Sequence, residues 1–202
     1  MSATHTGRRV LILITGYARS GKTTLANGIV AGAKSQVFHF NFADALKQSC
    51  DTWMSLLDIG GADCENSFYN EEFKVKNRNL LVTAGEFARS IDPDVFARSV
   101  VRKCEWHAEN MENIDEDCVV VCSDWRYANE FYKPFLELQL DGWFIVTIHI
   151  ETTGLLPANE VEGISIGQIV REIPISYSLF FSPDSEQTIR NEGKHIARQL
   201  NI

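Results

Sequence analysis

Residues 16–23 of this chain, GYARSGKT, have the residue types and spacing of a phosphate-binding loop. An apolar run over residues 10–14 precedes them and a helix-like segment follows. A strand that turns through glycines into a helix directs backbone N–H groups and the positive end of the helix dipole at one point, which suits a polyphosphate. The alternative is a glycine turn that only closes a strand–helix unit, and the fixed motif positions with these flanks favour phosphate binding.

The motif assigns a role to each polar position of the loop. We expect Lys22 to reach the β and γ phosphates of a nucleoside triphosphate and the Thr23 hydroxyl to hold Mg²⁺. The residues expected to contact the nucleotide are Gly16, Arg19, Ser20, Gly21, Lys22, Thr23 and Thr24.

A second candidate group lies where an apolar run, residues 119–122, ends in Ser123 and Asp124. In proteins with a phosphate loop, an aspartate at the carboxyl end of a strand reaches Mg²⁺ directly or through water, so Asp124 is a candidate metal ligand. A simple turn aspartate is the alternative. Arg126 follows at the rim where ligands bind an open α/β sheet, and it could clamp a phosphate. A surface ion pair with Glu130, four residues on, explains Arg126 equally well.

Two further groups of residues could bind the substrate or its phosphate. Phe42 could stack on a base and Asp44 could bind a sugar hydroxyl or an acceptor group, although a core phenylalanine and a helix cap are the favoured alternatives. Arg89, Arg98 and Arg102 form a cationic group, and several cations are needed to neutralise a transferring phosphoryl group. Solvated helix arginines are the alternative there.

The elements that must position these groups alternate between strands and helices. Apolar and alternating runs predict strands over residues 10–14, 37–42, 119–122, 144–150 and 179–182. Helical spacing predicts helices over residues 24–33, 43–57, 79–90, 92–110, 129–140, 165–171 and 184–200, with Asp92 as a cap and Pro93 in a first turn. This alternation predicts a parallel α/β sheet with helices on both faces.

Length and composition narrow the class of protein. A chain of 202 residues with 45% hydrophobic and 23% charged residues predicts one globular domain, residues 1–202. The formal net charge of −8 disfavours a general nucleic-acid binder. The five cysteines show no zinc spacing, the first nine residues lack the apolar core of a signal peptide, and no apolar run could span a bilayer. We therefore expect free thiols, no membrane partner and a cytoplasmic location.

Taken together, the motifs resemble those of bacteriophage deoxynucleoside monophosphate kinases. The family pattern has the phosphate loop, a Phe-Ala-Asp-x-Leu-Lys segment matched by residues 42–47, and an Arg-x-Ile-Asp-Pro-Asp stretch with a preceding glycine, matched by Gly85, Arg89 and residues 91–94. A Ser-Asp-x-Arg-aromatic-x-Asn-Glu stretch matches residues 123–130, and a C-terminal Ile-x-Asn-x-Gly matches residues 189–193. The motifs occur in the family's order over most of the chain. The family often has aspartate where Thr23 stands.

The resemblance implies transfer of the γ-phosphate of ATP, with Mg²⁺, to a deoxynucleoside 5′-monophosphate on an adenylate-kinase-like fold. It implies a helical substrate-binding insertion over residues 58–110, a lid over residues 151–175, and the host cytoplasm as location if the gene is a phage gene; a homodimer is compatible with it. The implied catalytic residues are Lys22, Arg89, Asp124 and Arg126. The implied substrate-binding residues are Phe42, Asp44, Lys47, Arg89, Arg98, Arg126, Asn129 and Glu130. Base preference stays open.

Two other functions remain compatible with the sequence. One is a kinase with a hydroxyl acceptor, similar to dephospho-coenzyme A kinase, in which Asp44 would act as general base. The other is a nucleotide-dependent switch or binding module. The sequence has no Asn-Lys-x-Asp guanine motif, and its arginine groups serve catalysis better than switching.

Overall fold

The computed structural model describes residues 7–58, 66–113 and 115–202. Its strands are β1 (Arg9–Thr15), β2 (Val37–His39), β3 (Cys118–Trp125), β4 (Trp143–Thr152) and β5 (Tyr177–Phe181). Its helices are α1 (Lys22–Gly32), α2 (Asp44–Leu56), α3 (Glu71–Lys76), α4 (Arg78–Ile91), α5 (Val95–Glu109), α6 (Asn129–Leu140), α7 (Glu160–Glu172) and α8 (Glu186–Leu200). The strands form one parallel sheet in the order β2-β3-β1-β4-β5. This confirms the predicted α/β class.

The sheet is covered by helices on both faces. Alternate side chains of β1 point to opposite sides: Leu11 and Leu13 pack in a cluster with α5, α6 and α7, whereas Ile12 and Ile14 pack in another with α1 and α8. Burial on both faces explains why the central strands are continuous apolar runs. The parallel register brings the carboxyl ends of β1, β3 and β4 to one edge, where the candidate residues lie.

Strand β2 ends at His39, three residues earlier than the sequence predicted. The reason is the carboxylate of Asp124, which accepts hydrogen bonds from the backbone N–H groups of Phe42 (2.8 Å) and Ala43 (3.0 Å). These two donors are therefore withdrawn from a strand ladder. The connection between β2 and α2 is instead fastened to the end of β3.

Between residues 66 and 110 the structure has the helices α3, α4 and α5, of which the short α3 was not indicated by the sequence. A substrate-binding role for this stretch stays a prediction. Helix α5 begins at Val95, later than predicted, because Asp92 ends α4 and its Oδ1 accepts the Asp94 N–H (3.0 Å). Residues 59–65, which belong to the insertion expected over residues 58–110, lie outside the described residues.

Helix α7 is longer than predicted and belongs to the core. Ile166 and Ile169 are buried in the cluster beneath it. Helix α7 and the turn over residues 153–159 that precedes it fall within the lid expected over residues 151–175, and that role stays a prediction.

Helices α1 and α8 touch through glycines. A Cβ on Gly193 would lie 2.4 Å from the Leu25 carbonyl oxygen and 2.8 Å from the Ile29 nitrogen, and a Cβ on Gly28 would lie 2.3 Å from the Arg190 carbonyl oxygen. Backbone atoms cannot turn aside as a flexible side chain can. This close approach gives a packing reason for the glycine of the C-terminal motif.

We predict that Gly193→Ala lowers the free energy of unfolding by about 2 kcal/mol, because the methyl group forces two backbones apart. The matched control is Gly167→Ala at an exposed position of α7, where a Cβ meets no atom within 4 Å. There alanine should stabilise the protein by up to about 1 kcal/mol through helix propensity. Urea unfolding measures both, and equal effects of the two variants would contradict the packing account.

The four cysteines of the described ranges, Cys50, Cys104, Cys118 and Cys122, are free and buried, as expected. Cys64 lies outside the described residues. Within those same ranges no helix is long and apolar enough to cross a membrane.

Candidate functional site

The loop between β1 and α1 depends on two glycines. Gly16 adopts φ +147° and Gly21 adopts φ +91°, conformations that other residues rarely take. A Cβ on Gly16 would also lie 2.2 Å from the Ile150 carbonyl oxygen, and one on Gly21 would lie 2.7 Å from Cδ1 of Ile189. The loop is therefore packed tightly against β4 and α8, which fixes the position from which its N–H groups point.

Lys22 is folded back into this loop. The side chain is 9% exposed, and its Nζ donates to the carbonyl oxygens of Gly16 (2.7 Å) and Tyr17 (2.6 Å). Burial, followed by the positive charge of Arg126, lowers the pKa of Lys22 to about 8, while Glu162 and Asp124 oppose this shift. A bound phosphate would add negative charge beside the ammonium group and favour its protonated form.

The loop residues fit a polyphosphate with its metal ion. Helix α1 starts at Lys22 with no side-chain cap, so its first-turn N–H groups lack intrahelical acceptors and can bind an anion. Within the described ranges, Ser20 Oγ is buried without a hydrogen-bond partner. Thr23 is exposed at the start of α1, where its hydroxyl is accessible to a metal ion. Arg19 and Thr24 flank the same turn.

Asp124 lies at the carboxyl end of β3, near enough to Lys22 to influence the lysine's pKa. Burial raises the pKa of Asp124, while its hydrogen bonds from Ala43 and Phe42 lower it. Each carboxylate oxygen accepts one backbone N–H and keeps a lone pair. The carboxylate thus fastens the β2–α2 connection, and its role as a magnesium ligand stays a prediction.

The structure engages Phe42 and Asp44 within the protein, although Asp44 does not cap α2, which has no side-chain cap. Phe42 is 2% exposed and belongs to the core, so base stacking by Phe42 is wrong for this conformation. Asp44 accepts the Asn41 N–H through Oδ2 (2.8 Å) and pairs through Oδ1 with Lys47 (3.0 Å). Lys47 also lies 5.3 Å from the ring centre of Tyr69. Asp44 and Lys47 therefore hold the helix start together.

Arg89 is held between two aromatic rings at the end of α4. Its guanidinium carbon lies 4.6 Å from the ring centre of Phe96 and 4.5 Å from that of Tyr127, and one nitrogen lies 3.7 Å from the carboxylate of Glu130. Cation–π contacts on two sides and a buried carboxylate fix the orientation of the side chain. Arg89 is thus positioned before any ligand arrives.

Glu130 has a different role from the one expected. Its Oε2 accepts the backbone N–H groups of Arg126 (2.9 Å) and Tyr127 (3.1 Å), and it pairs with Arg89 rather than with the Arg126 side chain. Glu130 is 2% exposed, so direct substrate binding by Glu130 is wrong here. The exposed Arg126 is positioned through its own backbone and lies near Lys22, whose pKa it lowers.

Arg98 of α5 and Asn129 of α6 contact the turn between α4 and α5. Arg98 forms an ion pair with Asp92, and Asn129 donates to the Pro93 carbonyl oxygen (2.7 Å) and to Asp94 Oδ1 (3.1 Å). Asn129 therefore ties α6 to this turn. Binding of substrate by either side chain stays a prediction.

A cleft of about 1110 Å³ opens between α2, α4 and α5. Three cations of α5 line it, and its walls include partly exposed aromatic side chains at Trp53, Phe87 and Trp106. The lining cations are Arg98, Arg102 and Lys103, and none of the described residues that line the cleft is acidic. An anion with a flat apolar part is the chemical class that such a lining complements.

The pH dependence of protein stability tests the burial of the Glu130 carboxyl group. Burial raises the pKa of Glu130 to about 7, so the folded state holds a proton that the unfolded state releases near pH 4.5. The resulting stabilisation is full below pH 4.5 and is lost as the pH rises through about 7, an effect of about 2 kcal/mol between pH 5 and pH 8. Glu130→Gln does not titrate. Urea unfolding of both proteins at the two pH values should show wild type losing this amount relative to the variant; parallel behaviour would contradict the account.

Sequence reasoning missed Glu162 of α7. Its buried carboxylate accepts the Ala18 N–H of the phosphate loop (3.1 Å) and the Ala158 N–H (2.7 Å). The available signal was the Asn-x-x-Glu spacing of Asn159 and Glu162, a helix-capping pattern that places a carboxylate at the start of α7. Nothing in that pattern says that the carboxylate reaches the loop.

Comparison with known proteins yields structural neighbours only. No family model and no curated protein matches the chain. Among solved structures, a sugar kinase from Janibacter sp. HTCC2649 is similar at 12% identity and TM-score 0.43, over 96% of this chain and 92% of the other. A gluconokinase from Sinorhizobium meliloti 1021 is similar at 13% identity and TM-score 0.43, over 98% and 95%. The fold assignment rests on the sheet order and the loop, since these similarities are too low to add to it.

Proposed function

We propose that this protein is an ATP-dependent kinase that phosphorylates deoxynucleoside 5′-monophosphates. The observation that carries the proposal is the convergence of a glycine loop, a buried lysine and oriented arginines at one edge of the sheet. Lys22 is surrounded by the charges of Arg126, Glu162 and Asp124, and Arg89 is joined to this group through Glu130. In phosphoryl transfer the protein contributes mainly the positioning of the reactants and the positive charge that stabilises the transition state.

In this proposal one set of residues binds the phosphate donor, ATP, and another binds the monophosphate acceptor. The backbone N–H groups of the loop and the ammonium group of Lys22 bind the donor phosphates, and Thr23 and Asp124 hold the metal ion. Arg126 and Arg89 neutralise charge on the transferring and acceptor phosphates. Bound ATP and Mg²⁺ supply the phosphoryl group and further charge neutralisation. A monophosphate acceptor is largely dianionic at pH 7, so no general base is required.

The cleft between α2, α4 and α5 supports a nucleotide as the acceptor, because it combines cations with aromatic walls. Trp53 and Trp106 line it and serve as internal probes. Titration with each of the four deoxynucleoside monophosphates should quench tryptophan fluorescence in a saturable way, whereas ribose 5-phosphate, which carries no base, should bind far more weakly. Equal responses to both ligands, or none to either, would contradict a nucleotide acceptor.

The hydroxyl-acceptor alternative depends on Asp44. Its carboxylate is engaged by Asn41 and Lys47, which suits a structural role better than proton abstraction. We predict that Asp44→Asn lowers kcat by less than about tenfold, since loss of a general base typically costs about 10²–10⁴-fold. Steady-state kinetics measure this, and a loss in the larger range would favour the hydroxyl acceptor. Slow ATP hydrolysis that no acceptor stimulates would instead favour a nucleotide switch.

A further inference from the structure

A single peptide group of the phosphate loop is held from both sides by charged side chains. The carbonyl oxygen of Tyr17 accepts a hydrogen bond from Lys22 Nζ (2.6 Å). The N–H of the same peptide group, at Ala18, donates to Glu162 Oε1 (3.1 Å). The ammonium, the peptide dipole and the carboxylate thus form one continuous chain of charge-assisted hydrogen bonds, in which each bond polarises the next.

Helix capping explains only one of the two hydrogen bonds that the Glu162 carboxylate accepts. The cap of α7 is Asn159, whose Oδ1 accepts the Glu162 N–H (2.9 Å), and Oε2 of Glu162 returns to the Ala158 N–H (2.7 Å) next to that cap. This is close to an ordinary capping box. Oε1, in contrast, leaves the helix and reaches the phosphate loop, 144 residues earlier in the chain. At 6% exposure the carboxylate is buried, and both of its oxygens are used.

We propose that Glu162 is a positioning residue for Lys22: it fixes the orientation of the Tyr17–Ala18 peptide, whose carbonyl holds the lysine ammonium group. Rotation of that peptide would turn an N–H toward Lys22 and remove one of its acceptors. The same carboxylate joins the loop to residues 153–159, the turn that precedes α7. This inference rests on the proposed function to the extent that Lys22 binds a nucleotide phosphate.

The test is direct binding of ATP with Mg²⁺ at pH 7, measured by calorimetry. We expect Glu162→Ala to weaken binding by about tenfold or more, the effect of losing a charge-assisted hydrogen bond. Glu162→Gln keeps one carbonyl oxygen for Ala18, so it should retain more affinity than the alanine variant. A role in capping alone predicts that Asn159→Ala, which removes the side-chain cap of α7, weakens binding as much as Glu162→Ala. The positioning role predicts a smaller loss in Asn159→Ala.

The matched control is Glu160→Gln, which removes an exposed carboxylate from the same turn of α7 and should leave the affinity unchanged. Circular dichroism checks the fold, and the glutamine variant carries the test if the alanine variant does not fold. Affinities of the Glu162 variants equal to that of the control, or equal losses in Asn159→Ala and Glu162→Ala, would overturn the inference. A wild-type protein that binds ATP but transfers nothing to any acceptor would overturn the proposed kinase while leaving the role of Glu162 standing.

Discussion

Replacing Lys22 with alanine or methionine should lower ATP-dependent turnover by at least about a thousandfold. This is the scale of the loss when an enzyme loses one preorganised group that stabilises charge in the transition state. The ammonium group is the buried cation of the loop, held by two carbonyl oxygens beside the site proposed for the phosphates. Methionine preserves the length and volume of the side chain without its charge. Initial rates of ADP formation measure the effect.

The control for this prediction is Lys34→Ala, an exposed lysine just after α1. It should turn over at the wild-type rate. Thermal unfolding of each variant separates loss of chemistry from loss of fold, and we expect both Lys22 variants to remain folded because they remove a charge that was costly to bury. Wild-type rates in folded Lys22→Met would contradict the role of the loop in phosphoryl transfer.

Replacing Arg126 with alanine should lower kcat by about 10³-fold with little change in KM for ATP, because a cation that meets the transferring phosphoryl group acts mainly in the transition state. Arg126 is exposed, and its backbone is fixed by Glu130. Lysine at this position should recover only part of the rate, since it cannot form the two parallel hydrogen bonds of a guanidinium group.

The control for Arg126 is Arg190→Ala on α8, an arginine that pairs with Glu186 on the surface. Its kinetics should be those of wild type. If Arg126→Ala retained near-normal kcat while Arg89→Ala lost activity, the clamp would belong to Arg89 alone and Arg126 would be a surface residue.

The fold could be predicted because its signals are local. A glycine loop after an apolar run, and strands that alternate with helices, suffice for a parallel sheet with helices on both faces. The boundaries that were wrong depend on distant partners. Strand β2 stops early because Asp124, more than 80 residues later, takes its next N–H groups. Helix α7 extends back to Glu160 because the Asn159 cap and the buried Glu162 stabilise its first turn.

The sequence suggested which residues to consider at the candidate site, but it did not give the contacts that these residues make. Sequence spacing suggested that Arg126 pairs with Glu130, whereas the carboxylate accepts the backbone of Arg126 and pairs with Arg89. No local pattern could give that pair, because Arg89 and Glu130 lie on different helices. For the same reason the contact of Glu162 with Ala18 could not be found from the sequence.

The most direct test of the proposed function is product formation from ATP, Mg²⁺ and each of the four deoxynucleoside monophosphates, with ribonucleotides and dephospho-coenzyme A as competing acceptors. Chromatography identifies the product and ADP release gives the rate. The account predicts that at least one deoxynucleoside monophosphate is converted to its diphosphate, with one ADP formed for each product molecule. ADP release that no deoxynucleotide stimulates, or phosphorylation of dephospho-coenzyme A alone, would contradict it.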